Sequence, residues 1–426
     1  MGCCVTVVPQ ESARLPGRRD GSRGSRGLRD LPRDVWILSV ITFLVALGYG
    51  VMIPILPVFA RTFGVGEFAT GLVVALFAMT RLAANPAVGV VVRFLGLRAV
   101  LVAGVLVVSL SSAACGLADS YWQLLLMRGI GGLGSALFTI SAMSGLLAVA
   151  GKEQRGRASA LYGGGFLLGN MAGPALSGFV TGFSLRLPFF FYAGTLLCAG
   201  LVGIAALSLK ETASDGQQRA SQDAEREMTA RVALRDRRYQ AACWANFAQG
   251  WQSQGARSTL VPLLIVGELE LAPRWTGSVF AAAAVTQGLS LLFVGRAVDE
   301  QWIGPVQGRR RVFLTGAVLC TVASVGLVLA PNIGMLLVTM CVFGVGGSML
   351  QTSPTALVGD VAGKDSRGPV AVFQMFTDAG TIIGPLLGGA LAEILGLRRA
   401  LAAGAVVMLV TVLMGMRIPG GERRAR

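Results

Sequence analysis

VAGKEQRG at residues 149–156 returns as VAGKDSRG at residues 361–368, an offset of 212 in a chain of 426. The likeness continues from GNMAGPALSG (169–178) to GTIIGPLLGG (380–389), and from SLRL (184–187) to GLRR (396–399). Upstream, ATG (69–71) matches WTG (275–277), each leading into an apolar stretch that ends at Gly89 or Gly295. Agreement in composition, spacing and order points to one structural plan used twice in tandem.

The plan is helical and apolar. With 54% hydrophobic residues, 14% charged residues and a mean hydropathy of +0.66, the chain lacks the polar groups that a water-soluble surface needs. Runs long enough to cross about 30 Å of hydrocarbon recur from residue 35 almost to the end. Twelve are expected, at 35–60, 68–92, 99–117, 122–148, 158–182, 188–209, 238–266, 275–298, 311–330, 334–358, 369–395 and 399–417. Between the sixth and seventh lies a polar, charged stretch with no apolar face. The expectation is an all-α polytopic membrane protein, its twelve transmembrane helices forming two pseudosymmetric six-helix bundles. The parts are a disordered arm (1–34), a first bundle (35–209), a linker (210–237), a second bundle (238–417) and a tail (418–426). In such a parallel repeat the solute site is expected at the interface of the halves, near the midplane.

Charge placement sets the orientation. Of 37 Lys and Arg residues, 29 fall on the side of the N-terminus and five on the other, leaving Arg81, Arg128 and Arg257 inside spans. By the positive-inside rule both termini and the linker are cytoplasmic, in the inner membrane of a bacterium. The net charge of +15 is then a topology signal, and no nucleic-acid partner is expected. Histidine is absent and the seven cysteines are scattered. No metal site, enzyme or cofactor is therefore expected.

Charges inside the spans carry the functional expectation, because an ion at the bilayer centre costs at least about 2.5 to 3.5 kcal/mol on insertion scales. Arg128 sits in RGIGGLGS (128–135). The matching MCVFGVGG (340–347) has Met340 there, so one copy alone bears the cost. Arg128 is expected to face an aqueous cavity between the halves and to bias a carboxylate. Asp378 is the acid deepest in an apolar span and the candidate for proton coupling. The alternative is an ion pair near the cytoplasmic gate, with backbone or linker arginines. Arg257 lies in NFAQGWQSQGARST (246–259), the most polar intramembrane stretch. There Asn246, Gln249, Gln252 and Gln254 can line a wet cavity, and Trp251 can stack on a flat solute. Arg81 is a second candidate cavity cation. Both arginines have snorkelling to headgroups or helix ends as the alternative.

Several motifs resemble those of the major facilitator superfamily, and among its branches the twelve-helix drug/proton antiporters. The resemblance covers residues 35–417. RGIGGLGS is similar to the fourth-helix pattern RxxxGxG through Arg128, Gly132 and Gly134. GNMAGPALSG is similar to the fifth-helix pattern GxxxGPxxGG through Gly169, Gly173, Pro174 and Gly178, with Ser177 departing from it. The second half repeats that pattern in full with Gly380, Gly384, Pro385, Gly388 and Gly389. The family's gate loop, GxxxDRxGRR, is matched by Gly89, Gly96 and Arg98, with Arg93 in the place of the acid. In the second half Gly295, Asp299, Gly308, Arg309 and Arg310 keep what the first copy has lost.

The resemblance implies the major facilitator fold and secondary active transport by alternating access. It implies proton-coupled efflux of an amphipathic organic compound, a drug or secondary metabolite, with the proton gradient as energy source and no cofactor. The partners implied are a small-molecule substrate, protons and the lipid bilayer, for a chain acting as a monomer. A metabolite facilitator or importer stays open, as does a receptor or scaffold that has lost transport.

Overall fold

The computed structural model describes residues 31–151, 154–208, 236–299, 305–362 and 367–418. The body of the N-terminal arm, nearly all of the linker and the last eight residues lie outside this set. For Gly295 and Asp299 only the helical backbone belongs to it.

The first half consists of α1 (Arg33–Met52), α2 (Leu56–Arg61), α3 (Glu67–Leu95), α4 (Leu97–Leu117), α5 (Tyr121–Val149), α6 (Arg155–Thr181) and α7 (Leu187–Ala206). In the second, α8 (Arg237–Gly250) runs on into a π-helix (Trp251–Leu260), one α-turn (Val261–Leu263) and a second π-stretch (Leu264–Glu268). It is followed by α9 (Arg274–Asp299), α10 (Pro305–Leu329), α11 (Ile333–Ala362), α12 (Arg367–Leu395) and α13 (Leu397–Met416). Ten of these helices are singly long and apolar enough to cross a membrane. The glycine-rich α6 and the interrupted α8 segment complete twelve spans among the described residues.

Local chemistry explains the interruptions. The first span breaks at Ile53–Ile55, where Pro54 lacks an amide hydrogen, and resumes as α2 with Pro57 in its first turn. LGLR occurs at 95–98 and again at 395–398. Each glycine takes a positive φ, +79° at Gly96 and +91° at Gly396, a conformation that allows one helix to end and the next to begin without a loop. In the π-helix, the Ser258 hydroxyl donates to the Ser253 carbonyl and that of Thr259 to the Gln254 carbonyl, both at 2.6 Å and both reaching back five residues.

Packed clusters of apolar side chains lie within residues 31–207 and within 239–418. The halves meet through α3 against α12 and α6 against α9. Glycines make the seams. A methyl group at Gly169 would lie 2.6 Å from the Phe43 carbonyl oxygen of α1, and one at Gly173 2.6 Å from that of Leu47. In the second half, Gly380 abuts the Phe247 carbonyl, and a methyl group at Gly384 would lie 3.0 Å from the Trp251 Cα. The fifth-helix motif and its repeat therefore bring two backbones together in each half, a geometry that side chains exclude. Gly132 abuts α3 at the Phe77 carbonyl, while a methyl group at Gly134 would lie 2.8 Å from the Gly104 carbonyl of α4.

Between the halves, backbone approach gathers at the face where α3 and α9 begin, opposite the face where α1 begins. Gly277 of α9 lies against Gly178 of α6, and Gly71 of α3 against the Pro385 carbonyl of α12. A methyl group at Gly389 would lie 2.5 Å from the Glu67 carbonyl, and the Phe68 amide donates to Glu393 Oε2 at 3.0 Å.

Candidate functional site

A cavity of about 240 Å³ opens between the halves. Its aromatic wall is Tyr49 of α1, Phe77 of α3, Phe138 of α5, Phe166 of α6 and Tyr192 of α7. Arg81 of α3 supplies a cation, and Gln254 of the π-helix and Thr381 of α12 close it from the second half.

Arg81 Nη2 lies 3.2 Å from Asp378 Oδ1, an ion pair that joins α3 to α12. The two side chains are 34% and 28% exposed. Asp378 is eleven residues into α12, about 16 Å along its axis at 1.5 Å per residue. One turn later, the Thr381 hydroxyl donates to the Asp378 carbonyl at 2.8 Å. The sequence identified both charges but not their pairing, across 297 residues of separation.

Arg128 is placed differently from its expectation. It is 4% exposed and lies behind the cavity wall rather than on its lining. Its guanidinium carbon is 4.4 Å from the centroid of the Phe77 ring. A cation over an aromatic face is attracted by the ring quadrupole, the more so when desolvated. Phe77 in turn packs on Tyr49, with centroids 6.3 Å apart, and Tyr49 on Tyr192 at 6.1 Å. Arg128 Nε has no hydrogen-bond partner among the described residues.

Arg257 repeats this arrangement in the other half from a different helix. Its guanidinium carbon lies 5.4 Å from the centroid of the Phe343 ring of α11, and its Nε likewise has no partner among the described residues. Phe343 is three residues from Met340, the counterpart of Arg128.

The polar stretch of the seventh span divides in two. Only Gln254 lines the cavity. Gln252 is fully buried on the far side, where its Nε2 donates to Ser324 Oγ at 2.6 Å and to the Gly404 carbonyl at 3.1 Å. Asn246 Nδ2 donates to the Phe373 carbonyl at 2.8 Å, and Gln249 Nε2 to the Gly347 carbonyl at 3.1 Å, tying α8 to α12 and α11. Trp251 is buried against Gly384. A continuous wet face is not what forms, because side chains two residues apart, such as Gln252 and Gln254, point to nearly opposite sides of a helix. The π-helix is a second departure from expectation.

The gate-loop residues lie at the face where α1 begins. Arg93 and Arg98 are exposed, and Arg98 donates to the Ile204 carbonyl. Gly308 is buried, and Arg310 Nη2 donates to the Met416 carbonyl at 3.2 Å. The side chain of Asp299 lies outside the described residues.

The family model for the Major Facilitator Superfamily matches residues 38–296 and 242–425. Multidrug resistance protein 2 of Bacillus subtilis is 25% identical over 371 residues, covering 85% of this chain and 90% of that protein. Quinolone resistance protein NorA of Staphylococcus aureus is 24% identical over 370 residues, with coverage of 85% and 90%. Among solved structures, a mutant of nucleoside transporter NupG superposes with a TM-score of 0.73 at 13% identity, covering 90% of this chain and 99% of its own. A bacterial homolog of the lysosomal transporter Spinster, inward-facing and unoccupied, gives 0.69 at 16% identity, with coverage of 92% and 97%. Twelve spans, a doubled six-helix plan and a cavity where the halves meet agree with these matches: the chain belongs to the Major Facilitator Superfamily, as a multi-pass membrane transporter and not an enzyme.

Proposed function

We propose that the protein exports amphipathic organic compounds, drugs or secondary metabolites, in exchange for protons. The observation that carries this reading is the Arg81–Asp378 pair, which links the halves at mid-membrane while Arg81 borders the cavity. An ionised Asp378 holds Arg81 and with it α3 to α12. Protonation removes the charge, and the strap between the halves with it. The proton thereby changes the relative stability of the two states of an alternating-access cycle, as coupling requires. Aromatic walls beside one cation, Arg81, and the neutral polar groups of Ser135, Thr139, Gln254 and Thr381 suit a flat, amphipathic solute.

Two further facts favour export. The fifth-helix motif is the one that the sequence shares with antiporters, and the curated relatives are drug-resistance proteins by name. The basic face reads as cytoplasmic by the positive-inside rule, placing both termini inside a bacterial cell. The test is efflux of fluorescent aromatic dyes from cells expressing the protein, with and without an uncoupler. Uncoupler-sensitive efflux that Asp378→Asn abolishes is expected. Efflux indifferent to both would refute proton coupling, and accumulation in place of efflux would favour an importer.

A further inference from the structure

The first backbone amides of a helix have no carbonyl of their own helix to bond, and α3 begins without help from its own sequence. Its N-cap is Gly66, which has no side chain to accept from them. Glu67, the acid of the first turn, is paired with Arg61 of α2. The missing acceptor comes from the other half: Glu393 of α12 takes the Phe68 amide at 3.0 Å, across 325 residues of sequence. Gly66 admits it, since a methyl group there would lie 2.8 Å from Glu393 Oε2 and 3.1 Å from Oε1.

Both carboxylate oxygens therefore lie over the start of α3, where the helix dipole favours a negative charge. Further along the seam Gly389 meets the Glu67 carbonyl and Gly71 the Pro385 carbonyl. These glycines set how closely α3 and α12 approach, and the carboxylate adds a bond that must break when the two part. The repeat shows that close approach does not require the acid. Gly277 against Gly178 is the matching seam between α9 and α6. There Gly182 stands four residues after Gly178, as Glu393 does after Gly389, and Ala272 stands five before Gly277, as Gly66 does before Gly71. One of the two seams alone carries the carboxylate and the uncapped helix that receives it.

We infer that Glu393 is a latch between the halves: it caps α3 from α12 and so favours the state in which the face where α3 begins is closed. When the halves part at this face, α3 loses its cap and the glutamate its amide. Glu393 is thus a positioning residue that acts on the equilibrium between states. This role is independent of the solute, of the direction of transport and of any exchange for protons.

The experiment measures the distance between spin labels on Trp122→Cys of α5 and Met335→Cys of α11, exposed positions where those helices begin at this face. The full-length protein is used in lipid nanodiscs, with its own cysteines replaced. Glu393→Ala should raise the ratio of long to short distances about fivefold, the contribution of one helix cap. Glu393→Gln keeps an acceptor without the charge and should raise it less. Gly66→Ser separates latch from scaffold. Its hydroxyl caps α3 from within the first half, at a φ of −71° that suits serine, while its Cβ displaces the glutamate. The long distance should therefore gain in Gly66→Ser with a melting temperature no lower than that of the wild type. Unchanged distances in Glu393→Ala would overturn the latch whether or not the melting temperature falls, because the carboxylate would then be a helix cap alone. A Gly66→Ser protein that keeps the wild-type ratio would overturn it as well.

Discussion

Arg81 and Asp378, 297 residues apart in sequence, form an ion pair 3.2 Å long that spans the boundary between the two halves. Each side chain keeps about a third of its surface open, so water can reach the pair and screen it. A pair of this kind contributes at most about 1 kcal/mol to stability. In the proposed exchange of solute for protons, its value lies in being breakable by one proton.

Asp378→Asn and Arg81→Gln should each reduce uncoupler-sensitive efflux at least about tenfold while the melting temperature of the purified protein stays nearly constant, since a partly wet pair adds little stability. Exchanging the charges, Arg81→Asp with Asp378→Arg, should restore part of the activity. Efflux assays paired with thermal melts check this. A large fall in melting temperature for Asp378→Asn would assign the pair to scaffolding.

Arg128 has a different environment, buried on the Phe77 ring with Nε unpaired among the described residues. A charge kept there opposes folding, and the other half holds Met340 at the matching position. Arg128→Met should therefore leave thermal stability unchanged or raise it, while transport falls. Arg128→Lys should not rescue transport, because a compact ammonium lacks the planar face that stacks on an aromatic ring. Melts and efflux measured on both variants separate function from fold. Full activity in Arg128→Met would remove the arginine from the mechanism.

The spans were legible in the sequence because crossing a bilayer demands long apolar runs, and their observed ends differ from the expected ones by six residues at most. The GxxxGP repeats marked the seams, whereas the break at Pro54 falls inside a first span expected to run unbroken over 35–60. The sidedness of the seventh span was not legible. Hydropathy records that Gln252 and Gln254 are polar but not that a backbone with five-residue hydrogen bonds turns one toward α10 and α13 and the other into the cavity. The partner of Asp378 was hidden for another reason. A contact between halves depends on how two bundles dock, and neither α3 nor α12 carries that information alone.

The division of that stretch gives a paired prediction. Gln252→Ala leaves the Ser324 hydroxyl and Gly404 carbonyl without their buried donor and should cost about 1 to 3 kcal/mol of stability. Gln254→Ala touches the cavity and should shift the KM for transported solutes, with stability within about 0.5 kcal/mol of wild type. Chemical denaturation and concentration-dependent transport rates distinguish the two. Equal effects of both variants on KM would mean that Gln252 also reaches the solute.

At the face opposite the start of α1, the halves are sealed by glycines with no room for a Cβ, Gly277 against Gly178 and Gly71 against the Pro385 carbonyl. A side chain at Gly277 meets backbone, which cannot swing aside as a flexible side chain does. Gly277→Val should therefore separate α6 from α9 at this face and raise the free energy of the state in which the face is closed, leaving each bundle's own packing untouched. Since an equilibrium between two states moves by the difference in their free energies, a strain of about 1 to 3 kcal/mol on the closed state would shift it by about five- to more than a hundredfold. Spin labels on the two halves near this face should report longer distances in Gly277→Val than in the wild type, with transport lost and the protein still folded. Gly194→Val is the control, because nothing lies within 4 Å of a methyl group at Gly194. Unchanged distances in Gly277→Val would show that the seam is loose enough to absorb a side chain and would remove it as the closure between the halves.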